Sequence, residues 1–310
     1  MDEVPGPYIE VTPERAAALK EFKENLPPGA EKFARRDQAC LRFLKARKYK
    51  VKKALIMLQK HLDWLESYRP QEIDPSTLEK HRRMRKCFWA GHDKLGRPCL
   101  ILSMRCHFPD HFPKEENLRF AVYTIQKGLK KRCPPGVHNF VTIFDMRGFT
   151  RKNIDFSFGK ALASTLQENF PERQAYSLVI ESPWYFRMLW AVVKPWLDKI
   201  TVAKIRFLKS DWKAQMLRFF DPSQLPVEYG GTMEVDWEPM QEGEPLSSEV
   251  TLNTAEEDPE EEITAMIREF KEEEESHREH PEAGGSSSGT HHSSRSAEFA
   301  HLGAELDAMD

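Results

Sequence analysis

The sequence predicts an α/β protein, with a helical N-terminal region, a mixed and mostly parallel sheet with crossover helices, and an acidic tail. Three observations predict it. Between residues 12 and 86, apolar side chains recur at three- and four-residue spacing, the period of amphipathic helices. From residue 87 onward, apolar runs of four to six residues alternate with longer helical stretches, which implies strands joined by crossover helices. Charge is also divided. Residues 1–231 hold 42 Lys and Arg against 26 Asp and Glu, a net of +16; residues 232–310 hold 4 against 23, a net of −19, and together they give the −3 of the whole chain.

The elements follow in order. Thr12, Pro13 and Glu14 supply an N-cap hydroxyl, a proline at the first helical position and an acid in the first turn, which together start a helix. Leu41, Phe43 and Leu44, then Val51, Ala54, Leu55, Leu58, Leu62 and Leu65, mark amphipathic helices that pack on something larger. Arg47, Lys48 and Lys50 fall between them at a helix end, where cations meet the negative pole of the dipole. Residues 87–90 and 99–103 read as a hairpin whose turn, at 92–97, uses Gly96. Leu118, Val122, Ile125 and Leu129 give one face to a helix over 114–131. A strand at 140–145, a helix over 156–169 and strands at 176–180 and 205–208 complete the alternation, which the hairpin makes mixed.

Residues 184–196 are unusually aromatic, with Trp184, Tyr185, Phe186, Met188, Leu189, Trp190, Val192, Val193 and Trp196 interrupted by charge only at Arg187 and Lys194. Such a segment is either an ordinary core helix or one that lies on a membrane surface. It is too short to span a bilayer, which takes about 20 apolar residues, and Pro195 stops or bends it. The five cysteines are scattered and lack C-x-x-C spacing, as in a reducing compartment. Cys106, His107 and His111 fall short of a four-ligand metal set. No glycine-rich phosphate loop, G-x-S-x-G elbow or H-E-x-x-H pair occurs, so neither nucleotide binding nor catalysis is expected. The N-terminus shows no signal-peptide pattern. In the tail only Ile263, Met266, Ile267 and Phe270 keep helical spacing, and a solvated, disordered segment is expected from about 234 to 310.

Several motifs fall in a recognisable order: L-R-F-L-K-A-R-K-Y at 41–49, G-H-D-K-L-G-R-P at 91–98, F-P-E-R at 170–173, K-P-W-L-D at 194–198, T-V-A-K-I at 201–205 and L-P-V-E-Y-G-G at 225–231. In this the chain resembles the CRAL-TRIO family of lipid-binding and lipid-transfer proteins, most closely its yeast-type phosphatidylinositol/phosphatidylcholine transfer branch. The resemblance implies an N-terminal helical subdomain (1–85), a lipid-binding domain enclosing an apolar cavity (86–233) and the tail (234–310). It implies that Arg47, Lys48, Glu172, Thr201 and Lys204 bind the phosphatidylinositol headgroup. It also implies that residues 184–196 form a gate, carried by Trp184, Tyr185, Phe186, Leu189, Trp190, Val193 and Trp196.

The chemistry agrees with that outline. Extracting a two-chain phospholipid exposes on the order of thirty methylenes, more than about 20 kcal/mol against water at about 0.8 kcal/mol each, so the chains must be enclosed and released only at a membrane. One departure concerns the second ligand. The branch that also carries phosphatidylcholine places two hydroxyl residues on the strand at 140–145; here Thr142 remains, but the other position is Phe140.

The expected partners are thus a phospholipid, most simply phosphatidylinositol, an anionic membrane surface touched transiently, and a lipid kinase to which the lipid is presented; no nucleic acid and no other cofactor are expected. The resemblance favours a monomer in the cytoplasm, peripheral to internal membranes. The alternative is a lipid-sensing adaptor whose acidic tail regulates membrane or partner binding, a reading that rests on the charge division.

Overall fold

Helices lead into the sheet as the periodicity requires. The computed structural model describes residues 6–235 and 260–279. α1 (Pro13–Glu24), α2 (Asp37–Ala46) and α3 (Val51–Tyr68) pack together around Phe22, Leu41, Leu44 and Leu58, and the Thr12 hydroxyl accepts from the Arg15 amide at 3.4 Å as the N-cap. α4 (Glu79–Arg83) brings the chain to the sheet.

Five strands lie side by side in sequence order: β1 (Cys87–His92), β2 (Pro98–Ser103), β3 (Phe140–Asp145), β4 (Gln174–Ile180) and β5 (Ile205–Phe207). β1 and β2 form the antiparallel hairpin, with Gly96 in the turn at φ 77°; every later pairing is parallel. The crossovers are α5 (Lys114–Arg132), α6 (Phe156–Asn169), and a third made of α7 (Phe186–Val193), the 3₁₀ turn Lys194–Trp196 and α8 (Lys199–Ala203). α9 (Trp212–Met216) follows β5.

Side chains alternate across a strand, so each strand serves two cores. Ile101, Val141, Ile143, Leu178 and Ile180 turn to one face, where Trp212, Met216, Phe220 and Tyr229 cover them. Leu100 and Phe140 turn to the other, against α5, and Phe144 and Val179 pack with α6 and α7. Strands buried on both faces read as nearly continuous apolar runs, which is why they were visible in the sequence. Each fully buried side chain of this size contributes about 1.5–3 kcal/mol. α5 lies so close to β1 that a Cβ on Gly128 would sit 2.0 Å from the Trp89 ring.

The edges of this frame are fixed by buried polar contacts. Arg147 pairs with Asp145 at 2.6 Å, and the Tyr229 hydroxyl donates to the same carboxylate at 2.8 Å. Burial pushes the Asp145 carboxyl up, but Arg147 and these hydrogen bonds outweigh it and hold it below the usual range. Asp145 and Arg147 thus tie the L-P-V-E-Y-G-G segment to the end of β3.

The tail departs from expectation. Residues 260–279, expected to be solvated and disordered, form a helix, α10 (Glu260–Glu279), whose Ile263 is completely buried. Its four apolar side chains at helical spacing find a partner surface on the body, and that surface overrides the cost of its charge. The remaining tail residues of that expectation, 236–259 and 280–310, lie outside the described residues. No described helix is long and apolar enough to cross a membrane.

Candidate functional site

A cavity of about 1040 Å³ opens between α6, the segment from α7 to α8, and the loop after α2, at the upper end of the range usual for ligand pockets. It lies at the N-terminal ends of β3 and β4, since Phe140 and Gln174 line it. Open parallel sheets ordinarily bind ligands outside the opposite, C-terminal strand ends, so strand chemistry alone does not point here.

The cavity is charged along part of its lining. All five residues of the proposed headgroup set, Arg47, Lys48, Glu172, Thr201 and Lys204, line it, although up to 157 positions separate them in the chain. Arg47 and Lys48 end α2, where the backbone of Lys48 turns left-handed at φ 52°. Glu172 stands in the turn before β4, also left-handed, at φ 58°. That conformation costs a non-glycine residue about 1–2 kcal/mol, so the fold holds two cavity residues in strained backbone. The Glu172 carboxylate is shared by two cations, Lys45 at 3.0 Å and Lys204 at 3.4 Å, and Lys204 also donates to the Gln174 carbonyl at 3.1 Å.

Thr201 is oriented by Asp198, the N-cap of α8. One carboxylate oxygen of Asp198 accepts from the amides of Ile200 and Thr201 at 2.8 and 2.9 Å, and the other accepts from the Thr201 hydroxyl at 2.8 Å. Burial raises the Asp198 carboxyl, but these donors prevail and hold it below the ordinary range. With its proton committed to Asp198, the Thr201 oxygen is left to accept.

The lining also carries apolar and aromatic side chains, Ala163, Leu166, Phe170, Val192, Trp196 and Phe270, beside further charged ones at Lys160, Lys271 and Glu274. Of the residues expected to form a gate, Trp196 lines the cavity. Tyr185 and Leu189 are buried toward the sheet, and the Tyr185 hydroxyl donates to the Phe149 carbonyl at 2.9 Å. Phe186 and Trp190 lean on Phe207 with ring centroids 5.8 and 5.5 Å away; Val193 is half-buried, and Trp184 is 50% exposed. The segment therefore has one face in the core and the remainder at the protein surface.

Phe140 and Thr142 share a face of β3 but not an environment. Phe140 lines the cavity and meets Trp89 edge-on at 5.5 Å. Thr142 is buried behind Gln174, whose side-chain amide donates to it at 3.3 Å and to Ser177 at 2.6 Å. Cys106 is buried, His107 meets Asp155 at 3.1 Å, and His111 stacks on Phe108. Among the described residues no group of three or more His, Cys, Asp or Glu could hold a metal ion.

Sequence reasoning missed Lys45, Gln167 and Gln174. Lys45 sits inside the L-R-F-L-K-A-R-K-Y motif and Gln174 follows F-P-E-R, so both were within reach of the motifs. Gln167 was not. It accepts from the Asp198 amide at 3.0 Å and donates to the Trp196 carbonyl at 2.9 Å, joining α6 to residues 196–198.

Two family models match the chain: the CRAL/TRIO domain over residues 82–231 and the CRAL/TRIO N-terminal domain over residues 18–60. The chain belongs to the CRAL-TRIO family. Among curated proteins it is similar to phosphatidylinositol transfer protein CSR1 of Eremothecium gossypii, 29% identical over 65% of this chain and 48% of that protein. It is also similar to Patellin-6 of Arabidopsis thaliana, 28% identical over 72% of this chain and 60% of that one. The chain thus spans about half the length of CSR1 and somewhat more of Patellin-6. In fold it matches the crystal structure of Sfh5, with a TM-score of 0.61 and 14% identity over 77% of this chain and 95% of that one. The helical start and mixed sheet described above are therefore those of a CRAL-TRIO protein.

Proposed function

We propose that this CRAL-TRIO protein binds phosphatidylinositol and transfers it between membranes. The observation that carries this reading is the convergence of Arg47, Lys48, Glu172, Thr201 and Lys204 on the lining of one cavity that apolar side chains such as Leu166, Val192 and Trp196 also line. A phosphodiester needs cations, and Arg47, Lys48 and Lys204 provide them. Inositol hydroxyls need acceptors, which the Thr201 oxygen and the Glu172 carboxylate provide. The similarity to a phosphatidylinositol transfer protein supports the same assignment.

In this reading the acyl chains run along the apolar walls toward Trp196, and the 184–196 gate opens at an anionic membrane surface, where a second hydrophobic ligand is exchanged for phosphatidylinositol. That second ligand meets a phenyl ring at Phe140, while the Thr142 hydroxyl already accepts from Gln174. The pair of hydroxyls that would suit a choline phosphate is therefore replaced by an apolar surface. The protein acts as a monomer in the cytoplasm, peripheral to internal membranes, and presents its lipid to a lipid kinase.

Native mass spectrometry with lipid extraction, on protein purified from a eukaryotic host, tests the reading. Phosphatidylinositol accompanied by a second, less polar species is expected. Protein that repeatedly emerges without phosphatidylinositol would contradict it.

A further inference from the structure

α10 places Ile263, Met266, Ile267 and Phe270 against the face made by α6, α7 and the 194–196 turn. Ile263 is fully enclosed; the Phe270 ring lies 5.1 Å from Phe156 and 5.7 Å from Trp196, and Phe270, Lys271 and Glu274 complete one wall of the cavity. Beside this apolar stripe, Glu262 pairs with Arg151 and Glu274 with Lys160. The helix thus offers the body an apolar strip edged by carboxylates. An anionic bilayer offers the same pair of features, an acyl interior edged by negative headgroups, so the covered face, which carries Trp196 and Phe156 together with Arg151 and Lys160, fits either.

The two occupants exclude each other. Between residues 260 and 279 the sequence holds nine Glu against three Lys and Arg, so α10 is repelled by an anionic surface and cannot itself be the element that binds one. Tethering keeps it in place: α10 belongs to the same chain, beginning 25 positions beyond residue 235, so its docking is intramolecular. Partly exposed ion pairs and a short apolar stripe then suffice for docking, and a membrane can still displace it.

We propose that α10 is an intramolecular substitute for the anionic membrane: it occupies the face by which this protein docks on a bilayer, closes one wall of the cavity, and is released when the membrane takes its place. This rests on the lipid-transfer reading only for the purpose of docking, and it is tested separately. The probes are vesicles of phosphatidylcholine with and without phosphatidylserine, and the protein is the full chain.

In the wild type, amide hydrogen exchange over 260–279 should be slow in buffer and become fast when phosphatidylserine vesicles are added, but not with phosphatidylcholine alone. Ile263→Asp with Phe270→Asp, which places charge in the apolar contact, should raise co-sedimentation with phosphatidylserine vesicles by about fivefold or more. A segment 260–279 that stays protected on vesicle-bound protein, or a doubly substituted chain that binds vesicles no better than wild type, overturns the proposal. Lipid extraction on the same samples separates the two readings. Absence of phosphatidylinositol with the exchange response intact removes the lipid assignment alone, and phosphatidylinositol present with α10 still protected on vesicles removes this proposal alone.

Discussion

Thr201 shows how one residue divides between structure and ligand. Its amide and hydroxyl both satisfy Asp198, so only its oxygen lone pairs face outward. Thr201→Val keeps the amide contact and the volume. It should cost about 1 kcal/mol or less in thermal unfolding, while phosphatidylinositol affinity, measured by titration into lipid-stripped protein, falls about tenfold. Equal losses of both would assign Thr201 to structure alone.

His61 makes a different prediction. It is buried beside Asn169, its ring nitrogen 3.1 Å from the amide oxygen; burial, with the cations of Arg42 and Arg173, holds its pKa down to about 4. The unfolded chain binds that proton near pH 6.5 and the folded protein does not until about pH 4, so stability rises with pH across this window by about 1.4 kcal/mol per pH unit from this group. Melting temperature should therefore drop on acidification from pH 7 to pH 5, and His61→Gln should flatten the slope. An unchanged slope would place the titration elsewhere. The sequence held the identities of the cavity residues, through motifs that name Glu172, Thr201 and Lys204. It did not hold their partners, because Lys45 and Glu172 are 127 positions apart and no local spacing reports such a contact.

At the scale of elements, the strands and long helices were legible because a period of two or of three to four residues is local. Residues 114–131 and 140–145 were read almost to their observed ends for this reason. Docking surfaces were less legible. α10 carried its periodicity openly in Ile263, Met266, Ile267 and Phe270, yet what decides its order is the face supplied by Phe156 and Trp196, more than sixty residues upstream. Close contact between elements is equally hidden. At Gly128 any side chain would meet the Trp89 ring, so Gly128→Ala should force α5 off β1 and destabilise the protein by about 1–3 kcal/mol, read as a lower midpoint in urea. A midpoint equal to wild type would mean that the Trp89 ring has room to turn aside.

The whole molecule combines a basic body with an acidic tail that returns to it. Both halves of that division were visible as charge, and the ion pairs Arg151–Glu262 and Lys160–Glu274 give it a place. The cavity joins the parts: the end of α2 brings cations, the turn before β4 brings Glu172, α8 brings Thr201, and α6, residues 191–197 and α10 bring apolar side chains. Only the assembled fold brings these cations, Glu172 and Thr201 into one cavity with apolar side chains.

Vesicle-to-vesicle transfer of phosphatidylinositol, compared between wild type and Lys204→Ala, tests that claim most directly. Lys204 pairs with Glu172 and donates to the Gln174 carbonyl in the cavity lining, and its loss leaves Glu172 paired with Lys45, so the fold should survive while transfer slows about tenfold or more. Transfer at the wild-type rate by a folded Lys204→Ala protein would contradict the assignment of this cavity to the headgroup.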